Sequence, residues 1–282
     1  MRSALCLLAA LAAAFPVGAI GPPVNTNTPI TLGLEGRGVR SFVKVTRASA
    51  GDREIATTTW PVVLPLNVTA KGVLGIAVPT IFQEIEGPGG TAASSGLGDV
   101  SLFAKYVVLQ IDRPGETLRL APKVVLKLPT GDDDASPALG GGSIDVSLGG
   151  VGAWLRGRTG IYVEALYQVR GESSKREFGE SVAYNVALAY RALPVVYRTY
   201  PAQQVNAYLE FNGSWTARDQ MSGVEVSAAG GHVLFASPGL QYIPLNRLLV
   251  EASFQLPVVT NLNGNQLEPD WTASAGMRVL LF

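Results

Sequence analysis

Polar and apolar residues alternate along most of the chain, in one short segment after another. In residues 205–215 (VNAYLEFNGSW), Leu209 and Phe211 share one face, and Glu210 belongs to the other. An alternation of period two is typical of a β-strand whose two faces meet different surroundings. The same pattern recurs in residues 118–128, 143–155, 161–169, 248–256 and 271–281.

The alternation predicts twelve strands, joined by two kinds of connection. The strands are predicted near residues 30–46, 57–67, 73–85, 98–109, 118–129, 143–155, 161–170, 181–191, 203–215, 232–242, 248–257 and 271–282. Most connections after odd-numbered strands are long, polar and rich in glycine, whereas most of those after even-numbered strands are short. An even strand number with this asymmetry is typical of bacterial outer-membrane barrels. We therefore predict an all-β fold: a transmembrane antiparallel up-and-down β-barrel with both termini periplasmic.

A soluble two-sheet sandwich would also show alternating strands. Its strands average about 5–6 residues, and its outer face carries charges at many positions. The segments here approach the roughly 9–11 residues that a tilted strand needs to cross a bilayer. Their apolar faces are also nearly free of charge. Both features favour the membrane barrel.

The first residues, MRSALCLLAALAAAFPVGAIG, predict a secretory signal peptide. One basic residue, Arg2, precedes an apolar run that ends before Pro16, and Val17, Gly18 and Ala19 form a cleavage site. The run is shorter than the roughly 20 residues of a spanning helix. Cleavage after Ala19 would leave residues 20–282 as one barrel domain in the outer membrane of a Gram-negative cell. No later stretch is apolar for the roughly 18 residues that a transmembrane helix requires.

Charge and cysteine content narrow the function. The single cysteine, Cys6, lies in the predicted signal peptide, so the mature chain has no disulfide. Without Arg2, 21 basic residues face 22 acidic residues, and no basic excess indicates a nucleic-acid partner. The expected partners are instead the lipid bilayer and lipopolysaccharide, the outer-membrane assembly machinery and a small-molecule solute.

The sequence offers little for catalysis or metal binding. A serine nucleophile requires a base, but the only histidine, His232, is expected as a polar residue at the barrel rim. Asp132, Asp133 and Asp134 follow one another in a predicted outer loop. Ca²⁺ takes about six or more oxygen ligands, and three consecutive aspartates cannot all face one ion. We therefore expect no enzyme activity, no metal and no cofactor.

Charged residues on the polar faces are candidates to line the lumen. The basic candidates on strands four and five are Lys105, Arg119, Lys123 and Lys127; the later candidates are Asp145, Glu164, Glu210, Glu251 and Arg278. Internal salt bridges could fill a narrow barrel, because buried charges must be paired. Alternatively, a basic wall could face an acidic wall in an open pore and orient polar or anionic solutes. Both interpretations remain open.

The chain ends within its last predicted strand. Leu280 and Phe282 resemble the terminal signal by which outer-membrane barrels are recognised for assembly, although Arg278 interrupts the apolar face that this signal requires. The last strand is predicted to close the barrel.

Four segments together resemble a known family. They are GLGDVSLFAKY (96–106), KLPTGDDD (127–134), ASPGLQY (236–242) and LPVVTNLNGNQLEPDW (256–271). In their order and placement they resemble the outer-membrane proteins labelled with the MetA pathway of phenol degradation, over roughly residues 30–282. The resemblance implies a barrel loosely akin to channels for fatty acids and aromatic hydrocarbons. It does not imply that phenol is carried.

Two classes of function follow. The first is an outer-membrane channel or transporter for small compounds, including aromatic or amphipathic ones. The second is a non-transporting structural or surface-interaction barrel whose lumen is plugged by salt bridges.

Overall fold

The computed structural model describes residues 20–173, 176–198 and 202–281. The predicted signal peptide and Phe282 of the predicted assembly signal lie outside the described residues. No helix in the described ranges is long and apolar enough to span a membrane.

Strands make up nearly all the regular structure of the described ranges. They are β1 (Arg37–Ala50), β2 (Arg53–Asn67), β3 (Gly72–Gly87), β4 (Gly90–Leu97), β5 (Ser101–Tyr106), β6 (Leu109–Arg113), β7 (Glu116–Lys127), β8 (Asp145–Arg156), β9 (Thr159–Val169), β10 (Glu172–Ser173), β11 (Arg176–Glu177), β12 (Ser181–Leu193), β13 (Gln204–Thr216), β14 (Gln220–Met221), β15 (Val224–Glu225), β16 (Gly231–Leu245), β17 (Leu248–Leu262) and β18 (Glu268–Leu281).

Twelve strands form a closed antiparallel barrel. Their order is β2, β1, β18, β17, β16, β13, β12, β9, β8, β7, β5 and β3, and the pairing of β2 with β3 closes the circle. This confirms the predicted all-β, twelve-stranded up-and-down barrel. We call the end with the turns at 68–71, 157–158 and 246–247 the short-turn end, and the opposite end the long-loop end.

The fourth predicted strand, near residues 98–109, is divided in the structure into β5 and β6. β4 pairs with β3, β5 pairs with both β3 and β7, and β6 pairs with β7. At the long-loop end, the loop 128–144 contacts the residues that lie just before β5. The Asp99 carboxylate accepts hydrogen bonds from the backbone N–H groups of Gly131 (3.1 Å) and Gly141 (2.8 Å). The loop therefore contributes to the wall at the long-loop end.

The strands present apolar side chains outward and polar side chains inward. Leu148, Leu240 and Met277 expose 56%, 61% and 50% of their surfaces, whereas Asn206 and Glu210 expose none. A water-soluble domain does not show so large an apolar surface around a polar interior. Lipid outside and a polar lumen inside explain both faces.

His232 lies near the start of β16, at the long-loop end. Its Nε2 atom is 2.6 Å from the Tyr184 hydroxyl, and the two rings are stacked. The Tyr184 ring lies directly over Gly213, where a Cβ would be 2.1 Å from Cζ of the ring. Trp215, the register partner of His232, is 47% exposed. His232 therefore belongs to an aromatic group on the outward face.

The outward face can be tested with one charge. Leu209→Arg should lower the free energy of unfolding by about 2–4 kcal/mol, because Leu209 lies midway along a strand and a charge near the bilayer midplane is costly. Denaturant titration of the barrel in lipid vesicles measures this. Val224→Arg, in the exposed loop strand β15, is the matched control and should change little. Equal losses for the two variants would contradict the assigned faces.

Candidate functional site

Residues 20–36, which we call the plug, enter the barrel before the first strand begins. Ile20, Val24 and Thr26 are each only 2–3% exposed. Thr31 Oγ1 donates a hydrogen bond to the Ala70 carbonyl (3.0 Å) at the short-turn end, where the plug returns to the wall. The prediction that the first strand begins near residue 30 is therefore wrong. The strand begins at Arg37 because the residues before it complete the plug.

The first residues of the plug pack into an apolar cluster near the short-turn end. Ile20 lies in one buried cluster with Leu155, Ala189 and Tyr162. The hydroxyl groups of Tyr162 and Tyr208 both donate hydrogen bonds to the carbonyl of Gly21, at 2.9 and 2.8 Å. These contacts satisfy a backbone group that has no strand partner.

Glu210, midway along β13, binds the middle of the plug. Its carboxylate accepts hydrogen bonds from three successive backbone N–H groups, those of Val24 (2.9 Å), Asn25 (3.0 Å) and Thr26 (2.7 Å). The Thr26 hydroxyl donates a further bond of 2.7 Å. Successive backbone N–H groups form a favourable site for an anion. The fully buried Glu210 carboxylate occupies that site.

Glu164 of β9 binds the next plug residue. Its carboxylate accepts hydrogen bonds from the Asn27 side chain (2.9 Å), from Asn185 (3.0 Å) and from the Lys123 ammonium (2.8 Å). Lys105, the register partner of Lys123, donates to the carbonyl of Thr28. Both lysines are therefore occupied, one by a carboxylate and the other by the plug.

Glu251 of β17 is shared by two arginines. Arg40 and Arg278 lie opposite each other in the register of β1 and β18, and their guanidinium groups contact Glu251 at 2.8 and 2.9 Å. Each guanidinium also donates to the plug, Arg40 to the Val24 carbonyl and Arg278 to the Pro23 carbonyl. Glu251 and Arg278 are among the lumen residues predicted from the sequence. Arg40 is not, although its inward parity in an alternating strand is a signal that could have identified it.

The other predicted lumen residues lie at the two ends of the barrel. Lys127 contacts both Asp99 (3.0 Å) and Asp145 (2.8 Å) at the long-loop end. Arg119 contacts Asp112 (3.0 Å) near the short-turn end. Each of the four basic residues predicted on strands four and five therefore has its own partner.

Asp132 organises the acidic loop locally. Its carboxylate accepts hydrogen bonds of 3.1 Å from the backbone N–H groups of Asp134 and Ala135. Aspartates commonly stabilise turns in this way. The described residues contain no cluster of three or more acidic, histidine or cysteine side chains that could hold a metal.

Leu280 has inward parity on β18, because it lies two residues after Arg278. It is the register partner of Gly38, and its backbone N–H donates to the Arg247 carbonyl (2.8 Å). The outward position next to it is Leu281, which is 47% exposed.

Two cavities lie between the plug and the long loops. The inner cavity, of about 300 Å³, has Val24 and Asn25 as part of its lining and includes Lys44, Phe235 and Ser214. The outer cavity, of about 230 Å³, is lined by Arg170, Arg176 and Asp219 among others, and it also includes Ser214. Their shared lining residue indicates adjacent spaces that lead from the loops to the plug.

A family model described as "Putative MetA-pathway of phenol degradation" matches residues 38–261. The match covers most of the described barrel. The chain belongs to this family of outer-membrane β-barrels. No curated protein matches the chain in sequence.

A solved structure has the same fold. The crystal structure of the COG4313 outer membrane channel from Pseudomonas putida F1 aligns with a TM-score of 0.72 and 13% identity, covering 93% of this chain and all of that one. The β domain of the Bordetella autotransporter BrkA aligns with a TM-score of 0.48 and 14% identity, over 87% of this chain and 99% of that chain. A FadL homologue from Pseudomonas aeruginosa aligns with a TM-score of 0.33 and 11% identity, over 87% and 88% of the two chains. The first alignment supports the fold, and the other two carry no argument.

The plug's attachment can be tested by accessibility. In a Val24→Cys background, labelling by a water-soluble maleimide should be slow, because residue 24 is 3% exposed. Adding Glu210→Ala should accelerate labelling at least about tenfold, since hydrogen bonds to charged groups contribute about 1.5–3 kcal/mol each.

Glu225→Ala, which removes an exposed loop carboxylate, is the matched control for this labelling experiment. Variants should first be shown to migrate as folded barrels in unboiled gels. Fast labelling without the Glu210 substitution, or no acceleration with it, would contradict the attachment of the plug by Glu210.

Proposed function

We propose that this protein is an outer-membrane channel for small solutes, and that the plug closes it in the conformation described here. One observation carries this proposal: a polar lumen leads from the long loops through two cavities to a segment that is not part of the barrel wall. The Pseudomonas putida structure, which is that of an outer membrane channel, supports the same class of function.

The chemistry of the plug's attachment supports reversible closure. Beyond its apolar base, the plug is held by hydrogen bonds and charged groups, including those of Glu164, Glu210 and Glu251. Water can replace such contacts when the plug moves. Glu164 would keep Lys123 as a partner, and Glu251 would keep Arg40 and Arg278. Glu210, whose hydrogen bonds from the described residues all come from the plug, would be hydrated instead. Movement would therefore leave a wet, charged lumen of the kind that conducts solutes.

The export and orientation of the chain complete the proposal. Residues 1–19 would be a signal peptide cleaved after Ala19, and the short-turn end would face the periplasm. Leu280 and Phe282 would present the closing strand to the assembly machinery, and lipopolysaccharide would surround the long-loop end. The nine candidate residues named from the sequence would then tune the lumen or hold the plug.

A second function is a non-transporting structural barrel. The observation that favours it is the extensive pairing of the interior charges, such as Lys123 with Glu164 and Arg40 with Glu251. In that case the plug would be a permanent part of the core. Conductance separates the two functions.

Deletion of residues 22–32 should raise single-channel conductance in planar bilayers several-fold over that of the intact protein, because the obstruction is removed. Glu210→Ala should give the same open level in brief events, because it weakens the plug without removing it. Glu225→Ala should behave as the unmodified protein. If the deletion variant inserts as a folded barrel and carries no current, the structural function is correct and the channel proposal fails.

A further inference from the structure

Lys44 is the one cation of the inner cavity's lining that lacks a protein partner within the described ranges. It lies on β1 and faces inward, like Arg40 four residues earlier, and it lines the inner cavity. Arg40 contacts both Glu251 and the plug. Nothing in the described part of the chain forms a hydrogen bond or an ion pair with the Lys44 ammonium.

A second unpartnered group lies beside it. Ser274 of β18 is the register partner of Lys44, so the two side chains are cross-strand neighbours on the same face. The Ser274 hydroxyl is buried and has no hydrogen-bond partner among the described residues. Buried polar groups are normally paired, so this hydroxyl is an unused donor next to the cavity.

The charge balance around the plug favours an anion. Five cations lie in or beside this part of the lumen, and three carboxylates accompany them. The cations are Arg40, Lys44, Lys105, Lys123 and Arg278, and the carboxylates are Glu164, Glu210 and Glu251. The excess is therefore two positive charges among the described residues of this region, and the exposed Lys44 side chain is open to a solute in the lumen.

The outer cavity provides an approach of the same sign. Arg170 and Arg176 line it, and each guanidinium lies over the ring of Phe178, at 4.5 and 5.6 Å from its centroid. Arg176 also pairs with Asp219. A charged entrance of this kind raises the local concentration of an oppositely charged solute.

The inner cavity also has an apolar side. Phe42 and Phe235 both line it, together with the amide side chains of Asn185, Asn212 and Gln255. The three amides are already linked to one another by hydrogen bonds. Aromatic rings beside a small number of polar groups are typical of a site for a small organic molecule.

We propose that the inner cavity is a binding site for a small organic anion with one carboxylate and one apolar ring. The carboxylate would contact the Lys44 ammonium and the Ser274 hydroxyl, and the ring would lie against Phe42 and Phe235. The volume of about 300 Å³ limits the ligand to about one ring. This inference rests on the proposed channel function, because it names the class of solute that the channel would take up.

Binding can be measured on the purified full-length barrel in detergent, without transport. The probes are benzoate, benzyl alcohol, which keeps the ring and lacks the charge, and acetate, which keeps the charge and lacks the ring. Isothermal titration calorimetry should show saturable binding of benzoate, with each of the other two probes at least about tenfold weaker. For benzyl alcohol, that factor is about what one charge-assisted hydrogen bond changes in an affinity. For acetate, it reflects the lost burial of the apolar ring.

Matched variants assign the binding to this cavity. Lys44→Gln should weaken benzoate about tenfold, Lys44→Arg should retain it, and Phe235→Ala should weaken it several-fold. Lys71→Gln, at the short-turn end, should leave it unchanged. Retention by the arginine variant shows that any loss in Lys44→Gln reflects charge rather than misfolding.

Three results would overturn the site. They are a lack of saturable benzoate binding, benzoate binding that Lys44→Gln leaves unchanged, and benzyl alcohol binding that equals that of benzoate. Failure of the channel proposal would appear differently: benzoate would bind as expected, while the plug-deletion variant carries no current. Current without saturable binding would keep the channel and remove the site.

Discussion

The hydrogen bonds between the buried Glu210 carboxylate and the plug's backbone are the interaction on which the rest of the interior depends. An irregular segment inside a barrel cannot pair with a strand, so its backbone groups need side-chain partners. Glu210 satisfies three consecutive N–H groups, while Arg40 and Arg278 satisfy two carbonyl groups nearby. A carboxylate at this position would be costly without those donors. The plug and the wall therefore stabilise each other.

The same arrangement divides the lumen into two parts. Between Glu210 and the short-turn end, the plug packs against aromatic side chains such as Tyr162 and Tyr208. Between Glu210 and the long loops lie two cavities, and Lys44, which has no partner in the described part of the chain, lines the inner one. Paired charges therefore occupy one part of the interior, and a cavity lined by Arg40 and Lys44 lies in the other.

Strand alternation predicted the barrel because lipid and lumen impose opposite requirements on successive residues, as at Leu209 and Glu210. The same parity identified Glu164 and Glu251 as inward-facing. It could not predict the plug, because residues 20–36 have no period and their partners are distant in sequence: Val24 and Glu210 are 186 residues apart. Nor could it predict that Lys44 has no partner among the described residues, since that depends on which charges the fold brings near.

A disulfide between the plug and the wall tests the central claim most directly. The Asn25 side chain donates a hydrogen bond of 2.9 Å to the Ser253 hydroxyl, and Cys6 is the only native cysteine. In an Asn25→Cys, Ser253→Cys double variant, we predict that an intramolecular disulfide forms in the folded barrel, that the oxidised protein carries no current in planar bilayers, and that reduction restores current. Failure of the disulfide to form, or equal currents in the oxidised and reduced states, would contradict a plug that closes this lumen.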